Sequence, residues 1–159
     1  MSEPLFHFSD RADIDRFDPH VPASNPTQPP AVWAIDRAHA PAYWFPRDCP
    51  RVCWWESDGR DRVHVVEASW APVLEEVGLH EYTLPWATFE PWPEAEGQYV
   101  SRVSVVPDGR RPLPSARALH EAGGVELRIV EDLWPVIDEV VAERSHFSII
   151  RKANLDPRR

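Results

Sequence analysis

The sequence predicts an α+β protein in which strands dominate and the helices are short. Runs rich in β-branched and aromatic residues recur along the chain, while 18 prolines and only six glycines are present. A proline inside a helix removes a backbone hydrogen bond, so long helices are expected to be scarce. A length of 159 residues with 43% hydrophobic residues predicts a single domain over residues 1–159.

The N-terminal third begins with a predicted strand at residues 5–8, where apolar side chains flank His7. Residues 11–17 are expected to form one helical turn, because Ile14 and Phe17 would share a face. Five prolines between residues 18 and 30 exclude a helix or a central strand there. That segment is therefore expected to be a loop.

The next strand is predicted at residues 31–35, followed by Asp36 as the cap of a short helix over 37–45. Residues 51–55 and 62–67 are two β-rich runs that flank a turn containing Asp58 and Gly59. This arrangement is typical of a hairpin.

In the second half, the pattern of apolar residues predicts short elements only. We expect a helical turn at 71–77, an extended segment at 80–84 and a proline-rich loop at 85–97. A long strand is expected at 98–106. The remaining elements are a helix at 115–122, a strand at 125–130, a helix at 133–141 and a strand at 145–151.

The formal net charge of −9 and the pI near 5.2 disfavour binding to a polynucleotide backbone. Nucleic acid is therefore not an expected partner. The sequence has no run of 18 apolar residues, and its first residues lack the layout of a secretory signal. We expect a cytoplasmic protein with no membrane contact.

Two cysteines, Cys49 and Cys53, are too few for a disulfide framework or a structural zinc site, so both are expected to be reduced thiols. The seven histidines show no metal-binding spacing, and no metal site is expected. Glycine-rich phosphate loops are absent as well. These observations argue against a Rossmann or P-loop protein.

His7 and Ser9 would project from the same face at the end of the first strand. Such a pair can clamp a ligand in a cleft. The alternative is a partly buried histidine that only satisfies its own hydrogen bonds. A serine hydrolase is disfavoured, because the sequence has no nucleophile elbow around Ser9.

Loop 85–97 combines three aromatic residues with three carboxylates: Glu90, Glu94 and Glu96. A carboxylate in a dry cleft strongly stabilises a developing positive charge. The alternatives are solvated loop charges, or an exposed aromatic surface that binds a partner. Long proline-rich loops of this kind are often functional.

The order of these motifs resembles the ADP-ribosyltransferase-like fold, and the small rifampicin-modifying ADP-ribosyltransferases in particular. The resemblance covers roughly residues 5–106. It lies in Leu5-Phe6-His7-Phe8-Ser9, Val32-Trp33-Ala34-Ile35, the following helix and His64-Val65-Val66-Glu67. It implies a strand-rich split sheet with short flanking helices. The chain also resembles an uncharacterised bacterial family, through residues 46–52 and 147–151.

The transferase resemblance implies that NAD is the substrate and assigns roles in binding it. His7 would bond a ribose hydroxyl, while Phe8 and Ser9 would hold the nicotinamide amide. Trp33 would stack near nicotinamide, with Tyr43 as a second aromatic. The acidic residue beside the reacting ribose would be Glu96 or Glu94, with Glu90 as a further candidate.

The sequence departs from that family at two positions, since Phe8 stands where the family has glycine and Trp33 where it has tyrosine. The expected function is an NAD-binding ADP-ribosyltransferase or NAD glycohydrolase that displaces nicotinamide through an oxocarbenium-type transition state. The alternatives are a non-catalytic nucleotide or small-ligand binding module, and an interaction protein that uses loop 85–96. The acceptor of the ADP-ribosyl group could be a small molecule or a protein. The sequence indicates neither this acceptor nor the oligomeric state.

Overall fold

The computed structural model describes residues 3–22, 26–76 and 78–158. These residues form two compact units. Unit 1 comprises Met1–Ala40 and His80–Leu113, and unit 2 comprises Pro41–Leu79 and Pro114–Arg159. Both units combine strands with short helical segments, which confirms the predicted mixed α+β class with many strands and few helices. No helix in the described part of the chain is long and apolar enough to cross a membrane.

The strands of the described residues are, in chain order, β1 (Leu5–Ser9), β2 (Val32–Ile35), β3 (Arg51–Trp54), β4 (Val63–Glu67), β5 (His80–Leu84), β6 (Phe89–Pro91), β7 (Gln98–Ser101), β8 (Gly109–Pro112), β9 (Glu126–Val130) and β10 (Phe147–Ile150). The α-helices are α1 (Val73–Glu76), α2 (Ala116–Gly123) and α3 (Trp134–Glu143). Single 3₁₀ turns cover Ala40–Tyr43, Ala68–Trp70, Trp86–Thr88 and Lys152–Asn154.

Unit 1 is built on a six-stranded antiparallel sheet in the order β6-β7-β2-β1-β5-β8. One face of this sheet carries a core of apolar side chains from strands and loops: Leu5, Phe17, Val32, Ala34, Tyr82, Leu84, Phe89 and Val105. The alternation of side chains along β1 places His7 on this face, because it follows Leu5 by two residues.

The helical turn predicted at residues 11–17 is absent, so that prediction is wrong. Phe17 instead pairs with Val105 through two backbone hydrogen bonds of 2.8 and 2.9 Å. The hydroxyl of Tyr82 accepts from the Ile14 amide and donates to the Arg11 carbonyl. These long-range contacts hold the segment extended over the core.

Loop 85–97 contains more regular structure than predicted, namely the 3₁₀ turn Trp86–Thr88 and strand β6. Phe89 is buried in the core opposite Ser101 of β7. Pro91 is tolerated because β6 is an edge strand, where a residue without an N–H breaks no ladder.

The predicted strand at 98–106 ends early, at Ser101. The Ser101 hydroxyl donates to the Val103 carbonyl and accepts from the Val103 amide, which turns the chain locally. Strand β8 was not predicted. It forms the other edge of the sheet, beside β5, is exposed at all four positions and ends at Pro112.

Unit 2 is built on the sheet β10-β3-β4-β9, in which the β4–β9 pair is parallel. The predicted hairpin is confirmed, because β3 and β4 pair antiparallel, with Val52 opposite Val65. Leu133 and two buried residues of α3, Ile137 and Val140, join these strands in one core.

The helices predicted at 115–122 and 133–141 are confirmed as α2 and α3. Ser115 caps α2 by accepting from the Ala118 amide, and Gly124 ends it in the left-handed conformation. The helix predicted at 37–45 is only the 3₁₀ turn Ala40–Tyr43. Asp36 nevertheless acts as predicted, because its carboxylate accepts from the His39 amide at 2.9 Å.

Candidate functional site

His7 joins the two central strands of unit 1. Strands β1 and β2 pair at a single position, Phe6 opposite Ile35, whereas β1 pairs with β5 at five positions. Beyond that position, His7 Nδ1 lies 3.2 Å from the Trp33 carbonyl oxygen. Because a carbonyl only accepts, Nδ1 is the donor, and Nε2 is the acceptor of the neutral ring.

Aromatic packing fixes the His7 imidazole on the core face of the sheet. Its ring centroid lies 4.7 Å from that of Phe17, which in turn meets the Tyr82 ring edge-on at 5.3 Å. Tyr82 is fully buried, while His7 is only half-buried. The imidazole is therefore held by a rigid support and remains partly accessible.

Phe8 and Ser9, the other predicted ligand residues on β1, have separate surroundings. Phe8 lies directly opposite Glu81 of β5, on the face away from His7. The Ser9 hydroxyl accepts a hydrogen bond from the Arg11 amide at 3.1 Å and so caps the turn that follows β1.

Trp33 carries an unpaired polar atom. Its Nε1 is buried and has no hydrogen-bond acceptor among the residues described. The neighbouring ring is Trp92 of loop 85–97, with centroids 5.1 Å apart and the planes inclined by 70°. A buried donor without an acceptor is costly, so this N–H is suited to an acceptor on a ligand.

The predicted acidic residues lie on and between β6 and β7. Glu90 and Glu94 are exposed, and the Glu96 side chain is half-exposed. Glu96 Oε1 lies 3.5 Å from His39 Nε2, and Asp36 Oδ1 lies 2.7 Å from His39 Nδ1. The structure thus places Glu96 in a cluster with Asp36 and His39, which the sequence analysis did not foresee.

Gly97 is required by this cluster. Its φ of +79° favours glycine, and a Cβ at this position would lie 2.2 Å from His39 Nδ1. The Gly97 carbonyl also accepts from the Asp36 amide at 3.0 Å. The backbone therefore fixes both Asp36 and the path of the chain beside Glu96.

A pocket of about 310 Å³ opens in unit 1 beside the same cluster, lined by Glu3, Leu5, Asp36, Arg37, Trp86 and Tyr99 among others. The rings of Trp86 and Tyr99 pack at 4.8 Å with an inclination of 58°. Burial, and then the negative charge of Asp36, raise the pKa of the Tyr99 hydroxyl above its ordinary value.

A second charged cluster was also missed by the sequence analysis. Glu81 is buried and accepts from Arg111 Nε at 3.0 Å and from Arg37 Nη1 at 3.3 Å. The Arg37 guanidinium also lies 3.7 Å above the Phe6 ring. Arg37 and Arg111 are 44 and 30 residues from Glu81 in the sequence, so no local pattern could have indicated the cluster.

The three aromatic side chains of loop 85–97 pack within unit 1. Phe89 is buried, Trp86 packs on Tyr99, and Trp92 packs on Trp33. The predicted second aromatic of the NAD site, Tyr43, belongs to unit 2, where Arg51 lies 5.5 Å from its ring centroid. The structure thus joins the His7 ring to the Trp33 backbone, whereas the Trp33 side chain lies on the opposite face of the sheet from His7. It places Tyr43 in the other unit.

Unit 2 contains a pair of buried histidines whose partners define their tautomers. His120 Nδ1 lies 2.6 Å from the Ala116 carbonyl and must donate to it. His120 Nε2 is then an acceptor, so His64 Nδ1 donates to it at 2.8 Å. His64 Nε2 in turn faces Arg62 Nη1 at 3.5 Å. Both imidazoles are therefore neutral.

From the His64–His120 pair we expect the free energy of unfolding to decrease on mild acidification. Burial, and then electrostatic repulsion from His120 and Arg62 against a second positive charge, lower the pKa of His64 well below 6.5, and burial lowers that of His120. The unfolded chain takes up these protons below about pH 6.5, whereas the folded chain does not. The free energy of unfolding should therefore decrease by up to about 1.4 kcal/mol per histidine for each pH unit below 6.5.

Urea unfolding between pH 7.5 and 5.0 measures this loss. The double variant His64→Leu/His120→Leu is the matched control, and its stability should depend less on pH. Equal pH dependence in both proteins would show that the pair is not responsible.

Cys49 and Cys53 are free and buried. Burial is the main cause that raises the pKa of each thiol to about 12, so both stay protonated and unreactive at neutral pH. Within residues 3–22, 26–76 and 78–158, no three His, Cys, Asp or Glu side chains converge in a way that could hold a metal ion.

Comparison with known proteins gives a family but no activity. No curated protein and no solved structure matches the chain. The model of a family of unknown function, DUF6886, matches residues 6–155, which is nearly the whole length. The chain therefore belongs to the DUF6886 family.

Proposed function

We propose that this protein has an ADP-ribosyltransferase-like fold, binds NAD and displaces nicotinamide from it, as an ADP-ribosyltransferase or an NAD glycohydrolase. The observation that carries the proposal is the half-buried His7 imidazole, which the Trp33 backbone carbonyl holds on the core face of the sheet. The resemblance assigns the ribose of NAD to His7 and the nicotinamide end to Trp33. The Trp33 side chain lies on the opposite face of the sheet, because Val32 and Ala34 share the core face with His7, so the geometry supports the ribose position alone.

One atom of His7 fits a group that NAD presents. Because His7 Nδ1 donates to the Trp33 carbonyl, Nε2 is the atom that accepts from a ribose hydroxyl. The buried Trp33 N–H, which has no acceptor among the described residues, lies on the other face of the sheet and is not assigned to the same ligand.

In this proposal Glu96 stabilises the positive charge that develops on the ribose. The bond between ribose C1′ and the nicotinamide nitrogen breaks, and its electron pair leaves with nicotinamide. An acceptor or water then adds to C1′ and loses a proton. An ionised carboxylate near C1′ stabilises the charged transition state more than the ground state. Glu94 and Glu90 remain alternative positions for this carboxylate.

A non-catalytic ligand-binding module is the second candidate function. It is favoured by the position of Glu96, whose carboxylate lies beside His39, in a cluster with Asp36. A carboxylate held there for structural reasons would be dispensable for catalysis, while His7 would still bind a ligand. The two functions differ in whether nicotinamide is released.

The test is calorimetric titration with NAD, with released nicotinamide measured in the same samples. For Glu96→Gln we expect a turnover about 100-fold lower and a dissociation constant within about threefold of wild type, because the lost charge acts in the transition state. Glu143→Gln, an exposed carboxylate of unit 2, is the matched control.

Each outcome separates the candidates. Binding with nicotinamide release that depends on Glu96 supports the transferase or glycohydrolase. If nicotinamide release depends on Glu94 or Glu90 instead, that residue is the carboxylate that stabilises the charge on the ribose. Binding without release identifies a binding module, and no binding at all refutes the proposal.

A further inference from the structure

The pocket of unit 1 combines fixed negative charge with aromatic rings, and the proposed NAD chemistry does not use this combination. Its lining includes two acidic residues, Asp36 and Glu3, and two aromatic residues, Trp86 and Tyr99. Carboxylates and the faces of aromatic rings both attract cations.

Asp36 supplies a rigid charge with one oxygen left over. Its Oδ1 accepts from both the amide and Nδ1 of His39, at 2.9 and 2.7 Å. Its Oδ2 makes no hydrogen bond to any residue that the structure describes. The side chain is only 28% exposed, so its charge is less screened than that of a surface residue. Glu3 adds a second, exposed carboxylate.

Trp86 and Tyr99 supply the aromatic part of the pocket. Both side chains are half-buried, and their rings are inclined to each other by 58°. The Tyr99 hydroxyl makes no hydrogen bond to a described residue, and it lies within the field of Asp36. Two inclined rings beside a carboxylate are the elements of an aromatic cage for an alkylated ammonium group.

Arg37 also lines the pocket, and its charge is partly compensated elsewhere. Its guanidinium lies 3.7 Å over the Phe6 ring and pairs at 3.3 Å with buried Glu81, which also pairs with Arg111. Two acidic residues thus line the pocket against one arginine. The electrostatic balance of the pocket is negative.

We propose that this pocket binds a small alkylated ammonium cation, whose positive charge lies against Trp86, Tyr99 and Asp36. A volume of about 310 Å³ is at the small end of ligand sites, which suits a compact head group rather than an extended molecule. The acidic character of the whole chain, with a net charge of −9, would favour the approach of such a cation.

The experiment compares choline with 3,3-dimethylbutan-1-ol, a neutral molecule of the same shape, by calorimetric titration of the full-length protein without NAD. Choline is expected to bind at least about tenfold more tightly, because only the cation gains from the rings and the carboxylate. Equal binding of both molecules would show that the site selects shape alone, and no choline binding would refute the proposal.

Variants localise the site. Trp86→Leu and Asp36→Asn should each weaken choline binding about fivefold to thirtyfold, whereas Trp134→Leu, which alters a half-buried tryptophan of unit 2, should not. Asp36→Asn keeps an oxygen that accepts from His39, so this variant tests the site if Trp86→Leu unfolds. Unchanged affinity in both Asp36→Asn and folded Trp86→Leu would overturn the assignment. If guanidinium binds more tightly than choline, the assignment of the pocket to an alkylated ammonium cation is also overturned.

Discussion

Replacing His7 by alanine is expected to abolish measurable NAD binding, with a loss of affinity of at least about 100-fold, while the protein stays folded. The variant removes the ring that would accept from the ribose hydroxyl and that now donates to the Trp33 carbonyl. An unmade hydrogen bond to a bound polar group costs about 1–3 kcal/mol, and the ligand would lose its orienting contact as well. Calorimetric titration with NAD measures the loss.

The stability of this variant should change little. His7 is half-buried, and its contacts include a hydrogen bond to the Trp33 carbonyl and a ring contact with Phe17. A loss of about 1 kcal/mol corresponds to a Tm decrease of about 2–4 °C for a chain of this length. His20→Ala, an exposed histidine, is the matched control and should bind NAD like wild type. A large fall in Tm with NAD binding retained would make His7 a structural residue and refute its role as a clamp.

The second large effect is expected in unit 2, where His64 and His120 should contribute to stability as a unit. His120→Leu leaves the His64 Nδ1–H without its acceptor, and His64→Leu leaves His120 Nε2 without its donor. Each buried unsatisfied group costs about 1–3 kcal/mol. The double variant removes both polar groups, so its loss should be smaller than the sum of the single losses by about 1–3 kcal/mol.

Urea unfolding of the four proteins at pH 7.5 measures this coupling. Val141→Ala, an exposed position on α3, serves as a control that should shift stability by less than about 0.5 kcal/mol. Additive losses in the two single variants would mean that the rings contribute independently, and the tautomer assignment would then lose its energetic support.

Local patterns in the sequence predicted the elements whose signals are local. The hairpin of β3 and β4 has a turn with Asp58 and Gly59, and α2 has a serine cap and a glycine end. Residues 11–17 were wrongly predicted as helical, because the contact of Phe17 with Val105 outweighs the weak helical spacing. Strand β8 carries no alternating pattern, since all four of its residues are exposed. The parallel pairing of β9 with β4 depends on the tertiary fold alone.

The candidate site was predictable only in part, for the same reason. His7 and Trp33 were singled out in the sequence, and the structure joins them by a hydrogen bond. The Asp36–His39–Glu96 cluster was missed, although Asp36 had been recognised as a cap. Contact between His39 and Glu96 depends on the pairing of β2 with β7 and on the positive φ of Gly97. Neither condition can be read from the spacing of the residues.

The two edge strands of the unit 1 sheet have a consequence for the behaviour of the protein at high concentration. Exposed strand edges can recruit a strand of another molecule and start aggregation. Here β6 ends in Pro91, while β8 ends in Pro112 and carries the exposed Arg110. Proline cannot donate to a growing ladder, and like charges on approaching copies repel each other. Both open sides of the sheet are thus protected against edge-to-edge polymerisation.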